Sequence, residues 1–124
     1  MMQLQPITLE IIWSILRDEV TDEQVNELVW QTLGYQWDEN NQAWDLSHVS
    51  PEWQENYPEP PNFIESRPAT VKLTRSIPVE NKQLLKEQLG FEGYTISELK
   101  PRLTRRATAA NWLLSYLKDQ GKLD

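Results

Sequence analysis

A chain of 124 residues is the size of one domain with a real hydrophobic core, and its lack of cysteine excludes disulfides, thiolate nucleophiles and thiolate metal ligands while fitting a reducing compartment. The formal charge of −7 argues against a dedicated nucleic-acid binder, yet residues 1–62 hold twelve acids and one base (−11) whereas residues 63–124 hold seven acids and eleven bases (+4). The first residues lack the basic start and apolar run of a signal peptide, and no stretch reaches the ~18 apolar residues of a membrane span; a soluble, cytoplasmic protein is expected, with no membrane partner.

Thr8 is placed to cap a first helix running to about Asp18, with Ile7 and Ile12 as a hydrophobic staple and Leu9, Ile12, Trp13 and Leu16 as the buried face. Thr21-Asp22-Glu23-Gln24 has the pattern of a capping box, with Val20 and Val25 as its staple and Gly34 as the helix stop. Val25, Leu28, Val29 and Leu33 form its inner face, and the short join predicts an antiparallel helical hairpin. Over residues 35–46 the period changes to alternation, which predicts a β-hairpin with Trp37 facing Trp44 across a polar tip, Glu39-Asn40-Asn41-Gln42. A calcium loop is excluded there, because the required glycine is Ala43 and the terminal glutamate is Val49.

Ser50-Pro51-Glu52 opens a short helix to about Tyr57, after which Pro58, Pro60 and Pro61 impose an extended segment. The expectation is a strap laying Phe63 and Ile64 on the protein's own core rather than a ligand for an aromatic groove. Residues 67–77 stay open: Pro68 suits a helix start, but Val71 and Leu73 alternate with Lys72 and Thr74 as in a strand. Pro78 begins a helix to Leu89, with Leu84, Leu85 and Leu89 inward and Gly90-Phe91 as its stop. Thr95-Ile96-Ser97-Glu98 is another capping box, stapled by Tyr94 and Leu99, for a short helix ending near Lys100-Pro101.

The chain is organised around a long helix over residues 102–118. Leu103, Ala107, Ala110, Leu114 and Leu117 recur at helical spacing, with Leu113 widening the stripe. Trp112 falls nearly opposite, beside Arg105, Ala109 and Tyr116, so a scaffold helix buried on two sides is expected, with Trp112 inside. The alternative is that Trp112 and Tyr116 form an exposed docking patch. The short helix, turn, longer helix and Gly-x-Leu exit over the last quarter of the chain resemble a winged helix-turn-helix, although no wing follows Asp124. The fold class is therefore mainly α with a small β-hairpin (α+β). We expect one domain, a compact bundle of about five or six helices around a central C-terminal helix, helix-turn-helix-like at its end. Its parts are an acidic helical hairpin and β-hairpin (1–50), a proline-rich strap (51–66) and a basic helical part (67–124).

Four stretches carry a resemblance over nearly the whole length: Pro51-Glu52-Trp53 with Tyr57-Pro58-Glu59-Pro60-Pro61, Arg67-Pro68-Ala69-Thr70-Val71-Lys72-Leu73-Thr74-Arg75, Lys82-Gln83-Leu84-Leu85-Lys86-Glu87-Gln88-Leu89-Gly90-Phe91, and Arg105-Arg106-Ala107-Thr108-Ala109-Ala110-Asn111-Trp112-Leu113-Leu114. In these the chain resembles an uncharacterised family, a domain of unknown function, of small proteins from cyanobacteria and plastid-bearing eukaryotes. The resemblance implies a cytoplasmic or plastid-type setting and supplies no catalytic residue.

His48 is the sole histidine, and its neighbour Ser47 lies in no nucleophile motif; the four glycines are too scattered for a phosphate loop. Paired acids such as Asp22-Glu23 and Asp38-Glu39 fall at caps and turns. No catalytic, cofactor-binding or metal-ligating residue is assigned, and the protein reads as non-enzymatic. The preferred function is a protein-interaction module, its partner held by the acidic half, the proline-rich strap or the Trp112 face. The alternative is nucleic-acid binding through Lys100, Arg102, Arg105 and Arg106 with Arg67, Lys72 and Arg75. Against it stands the expectation that these arginines pair with the acids of the first half.

Overall fold

The computed structural model describes residues 6–95, 97 and 100–121. Among them, α6 (Pro101–Asp119) is the axis, and α1 (Leu9–Leu16), α2 (Asp22–Leu33), α4 (Arg67–Arg75) and α5 (Leu84–Leu89) all pack on it. A two-stranded antiparallel sheet, β1 (Gln36–Asp38) and β2 (Ala43–Asp45), and the short helix α3 (Pro51–Asn56) complete the α+β architecture.

Thr8 caps α1 as expected, its hydroxyl accepting from the Ile11 amide at 3.1 Å. The buried stripe is Ile12, Ile15 and Leu16; Leu9, expected inside, is 42% exposed, because the stripe is turned towards Ile15. The capping box at α2 is complete: Thr21 Oγ1 accepts from the Gln24 amide at 3.1 Å, and Gln24 Oε1 accepts from the Thr21 amide at 2.8 Å. Thr21→Ala should therefore lower stability by about 0.5 to 2 kcal/mol in urea unfolding, by leaving a first-turn amide unpaired. At the other end Gly34 has φ +107°, and Tyr35 N–H donates to Trp30 O while Gly34 N–H donates to Gln31 O, a Schellman closure. The two helices follow across a short turn, but each makes its main packing with α6 rather than with the other.

In the hairpin, Trp37 pairs with Trp44 as expected, with ring centroids 5.3 Å apart. Trp44 also meets Trp30 and Tyr35 edge-on, which fastens the sheet to the end of α2. Asp38 accepts the amides of Asn40 and Asn41, so its carboxylate serves the turn. At α3, Ser50 occupies the cap position but its hydroxyl does not cap. Gln54 instead clips the helix to its approach by donating to the carbonyls of Leu46 and Val49.

The proline-rich segment is a strap on the protein's own core, as expected. Trp30 Nε1 donates to Pro61 O at 2.7 Å, Tyr35 hydroxyl donates to Tyr57 O at 2.8 Å, and buried Asn26 accepts the Phe63 amide at 2.8 Å. Phe63 and Ile64 are buried at its end. Burial pushes the Tyr35 phenol up to about 12. The open stretch that follows is helical: Ser66 Oγ accepts the Ala69 amide, Pro68 sits in the first turn, and Ala69 and Leu73 are buried four residues apart.

The single helix expected from Pro78 to Leu89 is a correction. A 3-10 turn at Val79–Asn81 is followed by a break and then α5. The cause lies on α6: Asn111 Nδ2 donates to Asn81 O at 3.1 Å and Asn111 Oδ1 accepts from Leu85 N–H at 3.2 Å. In an unbroken helix those two backbone groups would bond to each other, so the Asn111 carboxamide replaces the bond it interrupts. The stop is as expected, with Gly90 at φ +70° and Phe91 N–H donating back to Leu85 O.

On α6 the core face holds Ala109, Ala110, Leu113, Leu114 and Leu117, while Leu103 and Ala107 are half-buried. Trp112, expected inside, is only half-buried and donates its indole N–H to Ser76 Oγ at 2.9 Å; Tyr116 is 37% exposed. The short helix expected from Ile96, with its Leu99 staple, falls on residues 96, 98 and 99, outside the described residues, and so does the helix-turn-helix pairing that depends on it.

Candidate functional site

Six of the seven basic residues singled out from the sequence fall into two groups with different chemistry, and Lys100 stands at the first turn of α6. Arg106 is fully buried. Its Nη1 donates to Asp22 Oδ1 at 2.8 Å, its Nη2 to Val20 O at 2.7 Å and Ile15 O at 3.1 Å, and its Nε also to Ile15 O. One guanidinium thus ties the end of α1, the following turn and the start of α2 to α6, using the fork geometry that lysine lacks. This corrects its assignment as a contact for a partner or for phosphates, because no surface atom of Arg106 remains. Arg102 lies one turn earlier and grips Asp18 with both terminal nitrogens, at 2.9 and 2.8 Å, and Asp22 with Nε at 2.9 Å. Arg105 donates to the carbonyls of Ile64 and Glu65, holding the end of the strap.

The pairing leaves a pH signature. The Arg102 hydrogen bonds hold the Asp18 carboxyl below the usual carboxylate range. Burial alone would raise Asp22, but hydrogen bonds from Arg102 and Arg106 outweigh it and the net shift is downward. With folded pKa values below the unfolded ones, this stabilisation is present above the ordinary aspartate value, about 3.9, and is lost progressively as pH falls from there through the lower folded values. The urea midpoint should drop on acidification from about pH 5 to pH 3, and Asp18→Asn with Asp22→Asn should flatten that part of the profile.

The second group is different. Arg67, Lys72 and Arg75 lie on α4, and none forms an ion pair among the described residues. They line one wall of a groove of about 650 Å³ between α3 and α4, with Trp53 and Tyr57 on the other side. Lys72 Nζ stands 5.1 Å from the centroid of the Trp53 ring, a cation–π contact. Across α4, Arg67 with Arg105 and Lys100 edges a second groove of about 510 Å³ against the first turns of α6. Ser76, which accepts the Trp112 indole, also lines the first groove, so the expected basic surface meets Trp112 there; Tyr116 lies one turn further along α6. The aromatic wall from Trp53 and Tyr57 was not anticipated. Its signal was the closeness of Pro51-Glu52-Trp53 and Tyr57 to a strap that turns back beneath α4.

Ser47 and His48 are exposed turn residues. The Ser47 amide and hydroxyl hydrogen-bond to Asp45 and hold that carboxyl below its usual range, which accounts for both groups as turn chemistry. No group of three or more metal-ligating side chains occurs among the described residues, and no helix among them is long and apolar enough to cross a membrane.

The fold and the groove define the class as a small, acidic α+β domain with basic side chains along one groove. The chain belongs to the family of DUF1823, a domain of unknown function, whose model matches residues 6–118. It is similar to a solved structure described as "Solution NMR structure of the protein", at 62% identity and a TM-score of 0.84, over 94% of this chain and 98% of that one. Among curated proteins nothing matches the chain.

Proposed function

We propose that the protein is a non-enzymatic protein-interaction module whose partner docks on the face made by α3 and α4. The observation that carries this reading is that Arg67, Lys72 and Arg75 line an aromatic-walled groove and form no ion pair among the described residues, although the chain as a whole carries −7. Arg102 and Arg106 on α6, by contrast, are engaged internally with Asp18 and Asp22. Cations left on the surface beside an aromatic wall supply the residue types that interfaces favour. The nucleic-acid reading loses support from the same facts. Arg102 and Arg106 would have continued the basic track along α6 to several phosphates, and the net negative field repels a polyanion at long range.

The test is co-purification from the native host of the wild-type chain and of an Arg67→Glu/Arg75→Glu variant with an unchanged circular dichroism spectrum. A protein partner should be retained by the wild type and lost by the variant. A partner retained equally by both would overturn this placement, and a nuclease-sensitive one would restore the nucleic-acid reading.

A further inference from the structure

We infer that the groove between α3 and α4 takes an extended acidic peptide segment of alternating pattern, with its carboxylates on the α4 wall and the intervening apolar side chains against Trp53 and Tyr57. This rests on the interaction-module reading and adds the chemistry of the partner. At about 100° per residue, Arg67, Val71 and Arg75 fall on one face of α4, and Lys72 stands further round the helix, over the Trp53 ring. With a rise of 1.5 Å per residue, Arg67 lies about 7.5 Å along the axis from Lys72 and about 12 Å from Arg75. An extended chain places side chains of the same face about 6.8 Å apart at two residues and about 13 Å apart at four. Acids four residues apart therefore match Arg67 and Arg75 along the axis.

The opposite wall suits the other half of the pattern. Trp53 is buried with its ring against Phe63 and Tyr57, so it is a fixed surface rather than a mobile side chain, and Tyr57 is half-buried beside it. Alternate side chains of the ligand point towards this wall, where apolar groups bury area at no desolvation cost to the cations. Lys72 over the Trp53 ring already joins the two walls, and its ammonium keeps free donors for a carboxylate. Glu52 lies at the rim and repels an unbroken run of phosphates more than a segment whose charges alternate with apolar groups.

The test is titration of the full-length protein, followed by proton–nitrogen correlation spectra. The probes are a short synthetic peptide alternating glutamate with leucine, its glutamine counterpart, and a single-stranded oligonucleotide of equal net charge. The glutamate peptide should move the Trp53 indole and the backbone amides of α4. Replacing glutamate by glutamine, or Arg67 and Arg75 by alanine in a variant whose other resonances are unchanged, should each weaken binding about tenfold or more. Equal binding of the glutamine peptide, shifts confined to another face, or tighter binding of the oligonucleotide at the same resonances would each overturn the inference. If the natural partner is nevertheless lost on charge reversal of Arg67 and Arg75, the docking face stands and only its occupant has been misassigned.

Discussion

Arg106→Ala is expected to lower the unfolding free energy by about 3 to 5 kcal/mol, the range for truncating a large, fully buried side chain. The substitution strips Asp22 of a donor, leaves the carbonyls of Ile15 and Val20 without that partner, and empties the space of the largest fully buried side chain. Arg106→Lys should recover only part of the loss, because one ammonium on a single stem cannot span Asp22, Ile15 and Val20 at once. Urea unfolding measures both variants. A loss below about 1 kcal/mol for the alanine variant would show that the turn after α1 is not held by this side chain.

Gly34→Ala should be nearly as damaging, for a backbone reason. The residue sits at φ +107°, a conformation costing an L-residue about 1 to 2 kcal/mol, and an added Cβ would overlap the carbonyl of His48. Relieving that overlap means moving backbone, which adds roughly the 1 to 3 kcal/mol of an overpacked site. The damage should be local at first. The loop at His48 and Val49, and with it the hairpin carrying Trp37 and Trp44, should lose hydrogen-exchange protection before α6 does. Uniform loss of protection across both would mean that the hairpin and the helical core unfold as one unit.

These two sites show what sequence reasoning reaches and what it does not. The caps at Thr8 and Thr21, the stops at Gly34 and Gly90, and the pairing of Trp37 with Trp44 depend on neighbours within a few residues or across one turn, so local pattern was enough. Residues 67–77 carried both helical and strand periods, and only burial of Ala69 and Leu73 on one side decided for the helix. The break between Asn81 and α5 was out of reach, because its cause is a side chain 26 residues from Leu85 in sequence. Asn111 lies on a helix face that an apolar count treats as core, where a polar residue carries no visible role.

The same limit governs the candidate site. From sequence, Arg102, Arg105 and Arg106 look like the basic start of a recognition helix, and Arg67, Lys72 and Arg75 like an afterthought. In the structure Asp18 and Asp22 reach Arg102 and Arg106 on α6, and no ion pair to α4 occurs among the described residues. The charge division along the chain pointed to internal pairing, but not to which cations it would consume. Trp112 is expected inside because a helix apolar on two sides is normally buried on both. Its bond to Ser76 and partial exposure place it at the edge of the groove instead.

Equilibrium urea unfolding of two double variants separates the structural cations of α6 from the surface cations of α4. Arg67→Ala with Arg75→Ala should remain within about 0.5 kcal/mol of the wild type, as surface substitutions without partners do. Arg102→Ala with Arg106→Ala should lose at least about 3 kcal/mol. If the α4 pair proves as destabilising as the α6 pair, its cations are structural too, and no basic face is left free for a partner.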